Sequence, residues 1–168
     1  MILPIVVLTL VTAQRLGELV IARRNTARLL ARGGVETGAA HYPLIVVLHG
    51  AWLAGLWWLG WNRPVSPAWL AVYLGLQGLR VWVLLTIGAR WTTRIISVPG
   101  ETLVRKGPYR LFPHPNYAVV VGEIAVLPMV FGLPVYALVF SVLNALVLTI
   151  RIRAENAAIA ATAAPPRP

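Results

Sequence analysis

Apolar positions in this chain fall in long blocks and not at the three-to-four spacing of a surface helix. Five blocks can be drawn, at about Ile2 to Ile21, His41 to Trp61, Pro67 to Gly88, Tyr117 to Phe131 and Leu133 to Ile150. Each approaches the roughly 20 residues that cross hydrocarbon as a helix. The fourth is the shortest, contains Pro128 near its end, and is followed by "GLP" at Gly132 to Pro134. Proline removes a backbone donor inside a helix and Gly and Pro mark turns, so the last two blocks are expected to form a kinked, tight hairpin. The first block contains "VTA", which resembles a cleavage site, but it lacks a basic start and its pattern continues past Arg15 and Glu18. It reads as a retained span. The end, "AATAAPPRP", is small and proline-rich, so 157–168 is expected to be a disordered tail behind one membrane domain over 1–156.

Composition agrees with that pattern. The 168 residues are 58% apolar and 12% charged, with a mean hydropathy of +0.75. A soluble chain this short must keep much of its surface polar, so the expected class is an all-α integral membrane protein of about five spans. A net charge of +10 raises nucleic acid as a partner. The basic residues are scattered between apolar blocks and line no polar face, so none is expected. Arg23, Arg24, Arg28 and Arg32 follow the first block, Arg63 the second, and Arg90, Arg94, Arg105, Lys106 and Arg110 the third. No basic residue lies between the fourth and fifth, and Arg151, Arg153 and Arg167 close the chain. With the amino terminus outside, all of these but Arg63 lie on the cytoplasmic side, as the positive-inside rule requires.

Cysteine is absent, which excludes disulfides, thiolate metal sites and thiol nucleophiles. His41 and His49 have no third histidine near them, so no metal is expected, and His41 reads as interfacial. Inside the apolar blocks, charge is costly and calls for a reason. Gln14, Arg15 and Glu18 share a helix face, Gln77 and Arg80 repeat the spacing, and Glu123 sits about two turns into the fourth block. Two readings stand: a polar network that holds helices together, or a polar pocket between them. Most of the seven tryptophans sit near block ends and read as an interfacial belt, while Trp91 opens the segment that leads to the polar cluster below. That segment, Gly88 to Arg110, carries Thr, Ile and Val around a "PG" turn and is expected to fold as a short hairpin over the cytoplasmic mouth.

The densest chemistry lies in "RKGPYRLFPHPNY", Arg105 to Tyr117, and in "RIRAEN", Arg151 to Asn156. The first offers Arg105, Lys106 and Arg110 for an anion, aromatic surfaces at Tyr109, Phe112 and Tyr117, and hydrogen-bonding groups at His114 and Asn116. Topology sets the two motifs on one membrane surface, where they can hold a zwitterionic, nucleoside-like ligand. The plainer alternative is that they anchor helix ends to lipid headgroups.

"GPYRLFPHPNY" followed by "RIRAEN", with "WTTRI" before them, resembles the isoprenylcysteine carboxyl methyltransferase family. The first half, with "QRLGELVIARRN" and "GGVETGAAHYPLIVVLHG", is similar to a bacterial branch that O-methylates alkylpyrones or alkylresorcinols. The resemblance implies a compact five-span core that binds S-adenosylmethionine from the cytoplasm and admits a lipophilic substrate from the bilayer. It implies cofactor contacts at Tyr109, Arg110, His114, Pro115, Asn116, Tyr117, Arg151 and Glu155. The substrate side then falls to Gln14, Arg15, Glu18 and Glu123, with Glu123, His114 and Glu18 as candidate bases. Pro113 stands where the family usually has arginine, and Asn156 replaces a glutamate. The implied reaction transfers a methyl from sulfonium to oxygen, with S-adenosylhomocysteine as product, and needs no metal. Two rivals remain: carboxyl methylation of an isoprenylated cysteine, and a non-catalytic transport or lipid-binding protein.

Overall fold

The computed structural model describes residues 2–163 except 103 and 113, and side chains up to 157. Four long helices, α1 (Ile2–Ala31), α2 (Tyr42–Gly60), α3 (Pro67–Ile87) and α6 (Pro134–Ala163), are joined by the short α4 (Pro108–Leu111) and the 16-residue α5 (Pro115–Val130). Four helices are long and apolar enough to cross a membrane, and α5 is a shorter apolar helix. Leu10, Val47, Trp58, Leu74, Leu85 and Leu138 are exposed on the outer faces of the long helices. Side chains of this kind find hydrocarbon and not water around them, so this is a helical membrane protein.

Helix α5 packs mainly against α3 and α6. Its Ile124 and Leu127 form the centre of the core with Leu8, Trp52, Leu56 and Phe131. The expected tight hairpin is present. Pro128 occupies the last turn of α5, and Gly132, at φ 65°, ends it: its N–H donates to Met129 O and that of Leu133 to Pro128 O, at 3.1 and 3.0 Å. This is a Schellman turn, which satisfies orphan carbonyls through a left-handed residue that glycine adopts without strain. At Gly55 the backbone of α2 lets Tyr136 of α6 approach; a Cβ there would lie 2.2 Å from the phenol oxygen, which donates to Trp52 O at 2.8 Å.

Two boundaries differ from the sequence expectation. Helix α1 continues ten residues past Ile21, because Glu18, Ala22, Asn25 and Leu29 extend one buried stripe at helical spacing. Helix α6 likewise runs through Ala163, into the stretch expected to be a tail.

Among the described residues of Gly88 to Arg110 the expected hairpin is not formed. Strand β2 (Ile95–Ser97) pairs antiparallel with β1 (Val35–Thr37) from the α1–α2 connection, with Val35 opposite Ser97 and Thr37 opposite Ile95. The arm beyond Gly100 is drawn aside by other bonds. Glu101 pairs with Arg32 and with Arg90, at 3.1 Å to the latter, and Arg90 Nη1 donates to Thr102 O at 2.7 Å. The sheet is held to the bundle by Arg94, which bonds both carboxylate oxygens of Glu36 at 2.9 Å and lies 4.7 Å over the Tyr42 ring.

Candidate functional site

Six polar side chains converge in the middle of the bundle. Glu123 of α5, 2% exposed, accepts from Arg15 Nη2 of α1 at 2.7 Å, from Gln77 Nε2 and Arg80 Nε of α3 at 2.7 Å each, and from Arg80 Nη2. Glu18 accepts from Gln14 Nε2 and Arg15 Nη1 at 2.9 Å and from Arg80 Nη1 at 3.1 Å. Gln14 Nε2 also donates to Gln77 Oε1 at 2.8 Å. Two guanidiniums face two carboxylates, so the group is formally neutral, and each carboxylate oxygen carries at least one bond. A closed, neutral network is how charge is tolerated at this depth.

The second convergence lies at the end of the bundle that carries α4 and the sheet. Tyr117, in the first turn of α5, donates its hydroxyl to Glu155 Oε2 of α6 and accepts from Arg151 Nε at 2.9 Å. Arg151 also lies 5.6 Å over the Tyr117 ring, and the His114 ring stacks with that of Tyr117 at 5.3 Å between centroids. His114 Nδ1 is 3.7 Å from Glu155 Oε2. Pro115 presets the helical φ at the start of α5, so the four residues from His114 to Tyr117 leave the chain in a fixed fan. The Tyr109 phenol of α4 is pushed up to about 12 by burial first and by the Glu155 charge second, and so stays protonated.

Two cavities meet at this cluster. One, about 690 Å³, opens under the sheet and is lined by Arg90, Arg105, Tyr109, His114, Glu155 and Asn156 among others. The other, about 380 Å³, lies at membrane depth between α1, α2, α5 and α6 and is mostly apolar, with Leu16, Val46, Leu53, Val120, Ile124 and Leu148 in its walls. Trp91, Thr92, Asn116, Tyr117 and Arg151 line both and form the partition. The volumes suit small-molecule ligands.

The sequence-derived residues therefore separate into two groups. Tyr109, His114, Asn116, Tyr117, Arg151 and Glu155 surround the larger cavity, while Arg15, Glu18 and Glu123 line the smaller one. Gln14 reaches the network but lines neither cavity, and Pro115 is buried behind the partition. Arg110 is exposed and lines neither cavity; Arg105 is the basic residue of that loop that does. Pro113 lies outside the described residues. Asn156 lines the larger cavity. Among the described residues no group of three or more His, Asp or Glu side chains is placed to hold a metal.

Three contributors to the smaller cavity were not foreseen. His49 and Asn144 line it, as does Tyr42, whose hydroxyl lies 3.0 Å from Thr93 Oγ1. Asn144 carried a signal: an amide within an apolar block is as anomalous as a charge.

Comparison with known proteins bears on the same residues. The model of the isoprenylcysteine carboxyl methyltransferase (ICMT) family matches residues 69–161. That range contains α4, α5, the partition and the α6 motif. An uncharacterized protein of Bacillus subtilis, YpbQ, is 40% identical over 157 residues, covering 90% of this chain and 94% of that protein. An uncharacterized protein of Haemophilus influenzae is 25% identical over 161 residues, covering 89% and 90%. No solved structure matches. The matched range, more than half of the chain, holds both motifs and the partition they build, and the chain belongs to the isoprenylcysteine carboxyl methyltransferase family.

Proposed function

We propose that this protein is an S-adenosylmethionine-dependent membrane O-methyltransferase acting on a small lipophilic substrate with an acidic ring hydroxyl, of the alkylpyrone or alkylresorcinol kind. The observation that carries this reading is the pair of cavities, one polar and one apolar, that share a wall at Trp91, Asn116, Tyr117 and Arg151. A reaction between a water-soluble and a lipid-soluble partner needs such a shared wall.

The donor set of the larger cavity fits the cofactor. An amino-acid zwitterion joined to a nucleoside calls for a cation, an anion, amide groups and aromatic surface. Arg105, Arg90 and Arg151, then Glu155, then Asn116 and Asn156, then Tyr109 and His114 supply them. When bound, S-adenosylmethionine supplies an electrophilic methyl group on a sulfonium. Glu155 holds the Tyr117 hydroxyl and Arg151 donates to the same oxygen, which fixes the tyrosine in the partition. Asn116 and Trp91 orient groups on either side of it. The sheet covers the larger cavity, and the hydrocarbon-level walls exclude water from the smaller one, so charge interactions at the partition are strengthened. Glu18 and Glu123 act here as structural ions that hold α1, α3 and α5 together, with their oxygens engaged by guanidinium and amide donors. Orientation with α4 and the sheet in the cytoplasm follows the distribution of arginines.

Calorimetry in detergent tests the cofactor, with S-adenosylhomocysteine expected to bind the native protein and Glu155→Gln expected to weaken it by at least about tenfold, the scale of a lost hydrogen bond to a charged group. Absence of binding to folded native protein sinks the assignment. Membranes given labelled cofactor and either an alkylpyrone or a farnesylcysteine analogue separate O-methylation of the ring hydroxyl from carboxyl methylation.

A further inference from the structure

Among the polar groups of the smaller cavity that the bundle leaves unused are Asn144 and His49. Asn144 of α6 is 3% exposed, lines the cavity and makes no side-chain hydrogen bond among the described residues. Burying an amide without a partner costs free energy, so a side chain held that way at membrane depth points to a partner that comes and goes. His49 of α2 lines the same cavity and bonds through Nδ1 to Ile45 O at 2.8 Å. A carbonyl oxygen only accepts, so in the neutral ring Nδ1 carries the proton and Nε2 is left as an acceptor. Nε2 has no partner among the described residues either.

Most other polar groups in that cavity are engaged by the protein; among the described residues Asn116 and the buried Trp52 and Trp91 indole N–H groups are the exceptions. Arg15, Arg80, Glu18 and Glu123 bond one another, Tyr42 bonds Thr93, and Thr12 donates to Leu8 O and accepts from Trp57 Nε1. Along their helices, Asn144 lies seven residues before Arg151 and His49 seven after Tyr42. At 1.5 Å per residue, Asn144 sits about 10 Å along the α6 axis from Arg151 of the partition, and His49 about as far along α2 from Tyr42, whose hydroxyl bonds Thr93. A ligand in this cavity whose reacting hydroxyl meets Tyr117 has His49 and Asn144 in the walls around it.

We propose that His49 and Asn144 form a second polar subsite in the acceptor cavity, which recognises a second oxygen function on the substrate ring. His49 Nε2 accepts a hydrogen bond, and Asn144 both donates and accepts. The matching class is a single-ring amphiphile with two oxygens and an apolar chain; a simple alkylphenol lacks one of them. The proposal rests on reading the smaller cavity as the acceptor's site. A site built to bond an O–H rejects the analogue that lacks it, because its own groups stay unpaired.

The test is direct binding in detergent of 5-pentadecylresorcinol and 3-pentadecylphenol, which differ by one hydroxyl, read from the fluorescence of Trp52 and Trp91 in the cavity walls. The native protein is expected to bind the resorcinol at least about tenfold more tightly, one good hydrogen bond's worth. Asn144→Leu and His49→Phe, each checked for fold by circular dichroism, are expected to bring the two affinities together by weakening the resorcinol alone. Equal affinities in the native protein, or a preference unchanged in both variants, overturn the subsite. The readout needs no cofactor, so lost S-adenosylhomocysteine binding would count against the methyltransferase reading and leave this result standing.

Discussion

Replacing Glu123 by alanine tests whether the central ions hold the bundle. Glu123 is 2% exposed and receives donors from Arg15, Gln77 and Arg80. Its loss leaves Arg80, 3% exposed, with only the 3.1 Å contact to Glu18, and leaves two guanidiniums sharing one carboxylate. Breaking a buried pair from one side costs about 3–5 kcal/mol. With about 2–4 °C of melting temperature per kcal/mol at this chain length, Glu123→Ala is expected to melt about 6–20 °C lower. The charge inventory adds a control. Glu123→Leu with Arg80→Leu removes one ion of each sign and leaves the Arg15–Glu18 pair intact, so the double variant is expected to recover most of the loss. Tryptophan fluorescence during heating in detergent reads native protein, Glu123→Ala, the double variant and its two leucine singles. A single variant that melts within about 2 °C of native, roughly the effect of a surface change, refutes the structural role. So does a double variant as unstable as the sum of its singles.

At Gly132, φ 65° with open space where a methyl group would stand, alanine meets strain and no clash; Gly132→Ala is expected to cost about 1–2 kcal/mol, seen as a melting point lower by several degrees. Arg94→Ala removes the exposed pair with Glu36 and the contact over Tyr42, so the sheet should release bound S-adenosylhomocysteine a few-fold faster, and added salt should narrow the difference from native in stopped-flow traces. The Tyr109 phenol, raised to about 12 in the folded chain against an ordinary value near 10, binds its proton more tightly folded than unfolded. Its contribution to stability is complete below about pH 10 and declines as pH rises toward about 12. Denaturant titrations should show that decline, and Tyr109→Phe should flatten it.

Much of the bundle could be read from sequence because hydrocarbon is an unforgiving solvent. Gln14, Arg15, Glu18, Gln77, Arg80 and Glu123 stood out as anomalies in apolar blocks, and all six meet in one network. Their pairing across helices was not legible, since spacing along one helix says nothing about which neighbour faces it. The α6 motif was placed correctly beside the α5 turn by topology, but the bonds of Tyr117 to both Arg151 and Glu155 needed coordinates. Strand β2 was visible as a β-rich stretch, whereas its partner β1 was not, because Val35 to Thr37 is three residues long and pairs with a segment two helices further along the chain. Asn144 escaped notice because a lone amide reads as helix glue until its lack of a partner is seen.

The division of the central ions among helices also governs how the chain enters a membrane. Arg15 and Glu18 are one turn apart on α1, so that helix can enter the bilayer already neutralised. Helices α3 and α5 have no such private partner: Arg80 and Glu123 find their counter-charges only on other helices, on each other and on the Arg15–Glu18 pair of α1. A central ion adds about 2.5–3.5 kcal/mol to insertion, and α5 has only 16 residues with which to offset it. Helix α5 is thus the segment whose membrane residence is conditional on its neighbours. In an insertion assay it should be retained behind α1 to α3 and retained less when α3 carries Arg80→Leu, which leaves Arg15 as the one guanidinium bonded to Glu123 and so extends the role of the central ions from the finished fold to biogenesis.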